Sequence, residues 1–167
     1  LVQADITALD VDAVVNAANN NLMRGGGLCG EIYEAAGPEL EGACREIGYC
    51  ETGSAVVTPG YRLKARHIIH AVGPRYFLNP DESPSLLESA YRTCLKRAHE
   101  LQLKSLALPC LSTGIYGYPL FPAAKIAVRT IQSEVTQSSL ESVIFCCYDD
   151  ETYQIYNRLL SSSPVHL

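Results

Sequence analysis

The sequence predicts an α/β protein, a three-layer α/β/α sandwich around a largely parallel sheet. Short β-branched or aliphatic runs alternate with helix-period segments nearly to the end of the chain, the pattern that packs helices on both faces of a parallel sheet. Several of those runs are apolar almost throughout, as strands covered on both faces must be. The 167 residues, 47% hydrophobic and 19% charged, are enough for one globular core without staples. No internal repeat, low-complexity tract or interdomain linker divides them, so one domain over residues 1–167 is expected. The chain begins at Leu1, which leaves open that it is part of a longer one.

Ala13–Asn16 (AVVN) is the first strand, and a helix is expected over Leu28–Ala36 after a glycine run. Ser54–Thr58 (SAVVT) and His67–Ala71 (HIIHA) are the next two strands, short and bounded by Gly, Pro or polar residues. Ser83-Pro84 places a capping side chain ahead of a proline in a first helical turn. Leu87, Ala90, Tyr91, Cys94, Leu95 and Ala98 then recur at helical spacing to about Leu101. Ser105–Pro109 is a fourth strand. Pro122 opens a helix with Ala123, Ile126, Ala127 and Ile131 on one stripe. Ser142–Cys147 (SVIFCC) is the last strand, and Asp149 or Asp150 caps a final helix carrying Tyr153, Tyr156, Leu159 and Leu160. Arg75–Ser85 is the loosest stretch, and Ser161–Leu167 is expected to fray.

Composition excludes several functions. Thirteen Lys+Arg against 18 Asp+Glu give a formal charge of −5, which argues against a duplex nucleic-acid partner, since that affinity rests on basic side chains. No apolar run approaches the roughly 20 residues that cross a bilayer. No basic segment followed by an apolar one opens the chain, so an intracellular protein without a membrane partner is expected. The seven cysteines are odd in number, lack C-x-x-C spacing and have no His pair at zinc spacing. Reduced, mostly buried thiols and no metal site follow. Adjacent Cys146 and Cys147 in a strand would point to opposite faces.

Two segments point to chemistry. In one, the strand ending at Asn16 runs through Ala17–Asn21 into Arg24-Gly25-Gly26-Gly27 and a helix. In the other, the strand ending near Pro109 runs into Ser112-Thr113-Gly114-Ile115-Tyr116-Gly117-Tyr118. Both are glycine-bearing loops at the carboxyl end of a strand, where open α/β sheets bind ligands. Glycine lets backbone amides approach an anion, and a helix N-terminus adds favourable partial charge. Two such loops fit two linked phosphates; tight turns alone would also use these glycines. There is no GxxxxGK[ST], G-x-G-x-x-G or G-x-S-x-G motif, which argues against standard nucleotide hydrolases and dehydrogenases.

With Asp5-Ile6-Thr7, Val11–Asn19, Gly25–Gly30, Ala35–Pro38, His70–Pro74 and Ser112–Pro119 in this order, the chain closely resembles the macrodomain family, and within it the MacroD-type branch. The resemblance implies a mixed central sheet and an ADP-ribose ligand, with no metal or redox cofactor. It implies that Asp5 accepts from the adenine amino group with Ile6 beside the ring, and that Tyr148 lies against adenine. Asn19 would contact the distal ribose. The Gly25, Gly26, Gly27, Leu28 and Cys29 loop and the Ser112, Thr113, Gly114, Ile115 and Tyr116 loop would offer amides to the diphosphate. These roles suit the residue types: a carboxylate for an amine, amides for phosphates, a ring for a ring.

The departures bear on activity. Cys29 stands where the hydrolytic branch typically has an aspartate, Tyr33 where it has histidine, and Ala4 where glycine commonly precedes Asp-Ile. Losing the carboxylate removes a general base, a role usually worth about 10²–10⁴-fold, while phosphate-assisted routes remain. The expected function is hydrolysis of mono-ADP-ribose from modified protein side chains at an acidic-residue ester. Asn19, Gly27 and Cys29 are the candidate catalytic positions. The alternative is a reader module that binds ADP-ribose without cleaving it. A thiol-dependent enzyme on Cys29 would need a base, and His70, the candidate, is expected to be buried and structural. Asn16 is expected to brace the loop, Arg24 to be solvated, and His99 and His166 to have no role. The partners expected are ADP-ribose and mono-ADP-ribosylated proteins, met by a monomeric domain.

Overall fold

The computed structural model describes residues 1–162. The elements run β1 (Val2–Gln3), β2 (Ala13–Ala17), α1 (Gly27–Ala36), α2 (Glu39–Ile47), β3 (Ala55–Pro59), β4 (His67–Ala71), α3 (Ser83–Glu100), β5 (Ser105–Leu108), α4 (Leu120–Glu134), β6 (Ser142–Cys147) and α5 (Asp150–Ser162), with 3-10 turns at Ile6–Ala8 and Val135–Gln137. The sheet has six strands in the order β1-β6-β5-β2-β4-β3. Every pair is parallel except β3 on β4, which is antiparallel, so the sheet is mixed.

Alternation along each strand sorts the core into two layers. Ala13, Val15, Ile69, Ala71 and Cys147 face α3, α4 and α5, where Leu87, Tyr91, Cys94 and Ala127 meet them. Val14, Ile68, Ala107 and Cys146 face α1 and α2, where Ile32, Tyr33, Leu40 and Cys44 close the other side. The adjacent cysteines therefore serve opposite layers. All seven cysteines are free thiols, six of them buried and Cys110 partly so.

Several local expectations are corrected. Ser83 does not cap α3: Glu82 holds the cap position without a side-chain bond, while the Ser83 hydroxyl donates to the Asn79 carbonyl at 2.7 Å. Pro122 does not open α4, which starts at Leu120 behind Pro119. α2 was not apparent in the sequence because it buries only Leu40 and Cys44, a stripe too thin to read. Strand β1 has two residues and takes its place from pairing with Cys146 and Cys147. At the last helix Asp149 is the cap, its Oδ1 accepting from the Thr152 amide at 2.7 Å. Of the tail expected to fray, Ser161 and Ser162 belong to α5; residues 163–167, with His166, lie outside the described residues. Among the described residues no helix is long and apolar enough to cross a membrane.

Candidate functional site

The carboxyl ends of β2, β4, β5 and β6 open into one cleft of about 550 Å³. Asp5 and Ile6 line it beside Tyr148, and Asn19 lines it with Gly25, Gly26, Gly27, Leu28 and Cys29. The facing wall is Ser112, Thr113, Gly114, Ile115 and Tyr116. Every candidate residue from the sequence thus borders the same space. Residues that no motif singled out for a role also line it, among them Gly73, Glu31 and Asp149. Gly73 could have been suspected, since it lies in the block His70–Pro74 just after a strand.

The first wall is built by a loop that braces itself. Asn19 Oδ1 accepts from the Met23 amide at 3.0 Å and Asn19 Nδ2 donates to the Met23 carbonyl at 2.7 Å. The same amide therefore both shapes the turn and faces the cleft. Asn20 anchors the loop to the Cys50 carbonyl at 2.9 Å. Helix α1 then starts at Gly27, whose φ of +54° favours glycine. Its N-cap, Gly26, offers no side-chain acceptor, so the first-turn amides are left for another partner. Arg24, expected to be solvated, is exposed and pairs with Glu34 at 2.9 Å.

The second wall hangs from a buried phenol. The Tyr91 hydroxyl accepts from the Leu111 amide at 2.9 Å and donates to the Pro109 carbonyl at 3.4 Å. Complete burial pushes that phenol well above its ordinary pKa, which keeps its proton in place for the second bond. Ser112 follows with φ +67°, and its carbonyl accepts from the Tyr118 amide at 2.9 Å. The Ser112 hydroxyl is buried without a hydrogen-bond partner among the described residues and lies 2.1 Å from where a Cβ at Gly73 would stand. A side chain at 73 would displace the Ser112 hydroxyl from this position.

At one end of the cleft Asp5 Oδ1 accepts from the Thr7 amide at 2.9 Å and from its hydroxyl at 2.6 Å, capping the Ile6–Ala8 turn. Both bonds use Oδ1. Ile6 is buried, whereas Tyr148 is 76% exposed and stands at the rim.

Behind the first wall lies a buried polar chain. Asn16 Nδ2 sits 3.7 Å from Cys29 Sγ and 3.1 Å from His70 Nδ1, and His70 Nε2 is 2.9 Å from the Thr58 hydroxyl. With Nδ1 accepting from Asn16, Nε2–H donates to Thr58. Burial lowers the His70 pKa to about 4, so the ring is neutral at pH 7. His70 does not touch Cys29, whose thiol is instead directed to the Met23 carbonyl at 3.8 Å. Among the described residues no base is hydrogen-bonded to that sulfur, so the thiol-dependent enzyme loses its candidate partner. The described residues lining the cleft include no Lys, Arg or His.

A family model described as Macro domain matches residues 15–127. An O-acetyl-ADP-ribose deacetylase of Salmonella newport is 50% identical over 166 residues, covering 96% of this chain and 93% of its own. A macro domain-containing protein of Chlorobaculum tepidum is 48% identical over 162 residues, covering 96% and 94%. Among solved structures, the Oceanobacillus iheyensis macrodomain with ADP superposes with a TM-score of 0.92 at 38% identity, covering 95% of this chain and 87% of that one. The Trypanosoma brucei macrodomain in complex with ADP-ribose gives 0.89 at 37%, covering 95% and 67%.

Proposed function

Because the chain belongs to the Macro domain family, we propose that it binds ADP-ribose in this cleft and hydrolyses esters carried on the distal ribose. The observation that supports this most is the pair of amide-bearing loops facing each other across a cleft without a basic side chain. Such a cleft suits one diphosphate, held by backbone donors and a helix N-terminus. In this reading adenine lies between Ile6 and Tyr148, with its amino group on the Asp5 carboxylate. The diphosphate takes the amides of Gly25–Cys29 and Ser112–Tyr116, and Asn19 orients the distal ribose beside Cys29. The relatives named O-acetyl-ADP-ribose deacetylase support the ester chemistry. Mono-ADP-ribosylated Asp or Glu side chains present an ester on the same sugar and form the protein class of substrate.

The mechanism follows from what the cleft holds. For a side-chain ester, water attacks the anomeric carbon, the carbon–oxygen bond to the acceptor breaks, and a carboxylate leaves. A carboxylate is stable without a proton at pH 7, so no general acid is required. The water gives its proton to solvent or to a diphosphate oxygen bent toward it. Cys29 does not serve as base; it fills space beside the sugar. No metal or redox cofactor enters this scheme.

The second reading, a reader that binds without cleaving, is favoured by the absence of a carboxylate at Cys29. Calorimetric titration with ADP-ribose comes first, and no binding heat would end both readings. The chain is then incubated with O-acetyl-ADP-ribose and with a mono-ADP-ribosylated protein, Asn19→Ala serving as control. Release by the wild type and its loss in the control support hydrolysis. Binding without release leaves the reader.

A further inference from the structure

The order of the strands sets a direction along the cleft. Tyr148 follows β6, Ser112–Tyr116 follow β5, Asn19 follows β2 and Gly73 follows β4, and these four strands are consecutive neighbours, all parallel. On the reading proposed above, adenine lies at β6, the diphosphate at β5 and the distal ribose at β2. A group esterified to that ribose then leaves toward β4, whose chain continues through Gly73 and Pro74 into Arg75-Tyr76-Phe77-Leu78.

This segment is pinned to the cleft wall. The Tyr76 amide donates to the Tyr116 carbonyl at 2.9 Å. The Tyr76 ring lies 4.8 Å from Tyr118 and meets Phe77 edge-on at 5.5 Å. The Arg75 guanidinium carbon stands 5.3 Å from the centroid of the Tyr116 ring, within the range of a cation–π contact. Arg75 is exposed and has no ion pair among the described residues, whereas Arg24 is paired with Glu34. Beside it Phe77 is 78% exposed, Leu78 67% and Ile115 99%. An unpaired cation on a cleft-lining ring, next to solvent-facing apolar side chains, has nothing to offer a small acyl group. It suits a polypeptide that carries both apolar residues and carboxylates.

We propose that Arg75–Leu78 is an acceptor-docking surface beside the cleft, behind its Tyr116 wall, with Arg75 as a specificity-determining residue. It favours ADP-ribosylated protein segments with further Asp or Glu beside the modified residue over small uncharged esters. The proposal rests on the ADP-ribose ester reading and names the partner of that site.

Three substrates test it: O-acetyl-ADP-ribose, a mono-ADP-ribosylated peptide with flanking Asp and Glu, and the same peptide with flanking Asn and Gln. One exposed ion pair at about 1 kcal/mol corresponds to about fivefold. Arg75→Gln is expected to raise KM for the acidic peptide about fivefold and to lessen the rise of that KM with ionic strength. The other two substrates stay within about twofold, and Arg75→Lys retains most of the preference. Leu78→Ser is expected to weaken both peptides and to spare O-acetyl-ADP-ribose. A parallel loss on all three substrates would overturn the proposal, because Arg75 would then only support Tyr116. An unchanged KM for the acidic peptide would also overturn it. If the wild type turns over none of the three, the hydrolytic reading fails by itself, and the same comparisons are made on Kd by competition with ADP-ribose.

Discussion

The Cys29 sulfur sits between the Asn16 amide at 3.7 Å and the Met23 carbonyl at 3.8 Å, 7% exposed and beside the proposed ribose position. Neither neighbour is charged, and neither is a base. Replacing it with a carboxylate supplies the missing base, and Cys29→Asp is expected to raise ester turnover at least tenfold in steady-state release assays. An unchanged rate would show that the water is activated elsewhere. Asn19 has two roles in one amide. Asn19→Ala removes both bonds to Met23, so ADP-ribose affinity should fall at least tenfold by calorimetry while stability drops by about 1–2 kcal/mol in urea. A loss of stability with unchanged affinity would make Asn19 a brace alone. The sequence showed the residue type at this position, but its pairing with Met23 is a property of the folded turn.

The elements behind the walls matter as much as the walls. Tyr91 on α3 holds the end of β5 through Leu111 and Pro109. Tyr91→Phe leaves the buried Leu111 amide without its acceptor, which costs about 1–3 kcal/mol. The urea midpoint should fall accordingly, and ADP-ribose should bind more weakly because the Ser112–Tyr116 wall loses its anchor. Gly73 follows β4 and lines the cleft against the Ser112 hydroxyl. Gly73→Ala is expected to preserve the fold by circular dichroism and to weaken ADP-ribose binding; intact affinity would show that the Ser112 hydroxyl rotates away without disturbing the loop. Most elements were legible as apolar runs and helical stripes. α2 and β1 were not, because one buries two side chains and the other is held by its neighbour strand. At Ser83 the hydroxyl is taken by the preceding turn instead of capping the helix, and α4 starts two residues before Pro122, which stands inside its first turn.

For the whole molecule, buried and paired charges set the response to pH. His70 titrates near 4 when folded because burial disfavours its cation, against about 6.5 unfolded. Its neutral form is therefore favoured by folding above pH 6.5, and that contribution is lost as pH falls from about 6.5 toward 4, on the order of 3 kcal/mol. Asp12 adds to the loss at lower pH. The Lys104 amide, with help from the Ser105 amide and Arg66, holds its carboxyl below the usual range, so its stabilising effect disappears as pH drops through that lowered value. Urea midpoints measured from pH 7.5 to 4 should decline most steeply between 6.5 and 4.5; a flat profile there would mean that His70 is solvated. What the sequence determined by itself was local: strand and helix periods, glycine runs at strand ends, and the absence of basic blocks. Periodicity and turn chemistry act over a few residues, so they survive without coordinates. Only the tertiary structure decided what meets across distance. Parallel strands place the ends of β6, β5, β2 and β4 side by side, and this brings Tyr148, Ser112, Asn19 and Gly73 around one cleft. It separates Cys29 from His70 and sets Arg75 on Tyr116. Such contacts depend on crossover order, which no local pattern encodes.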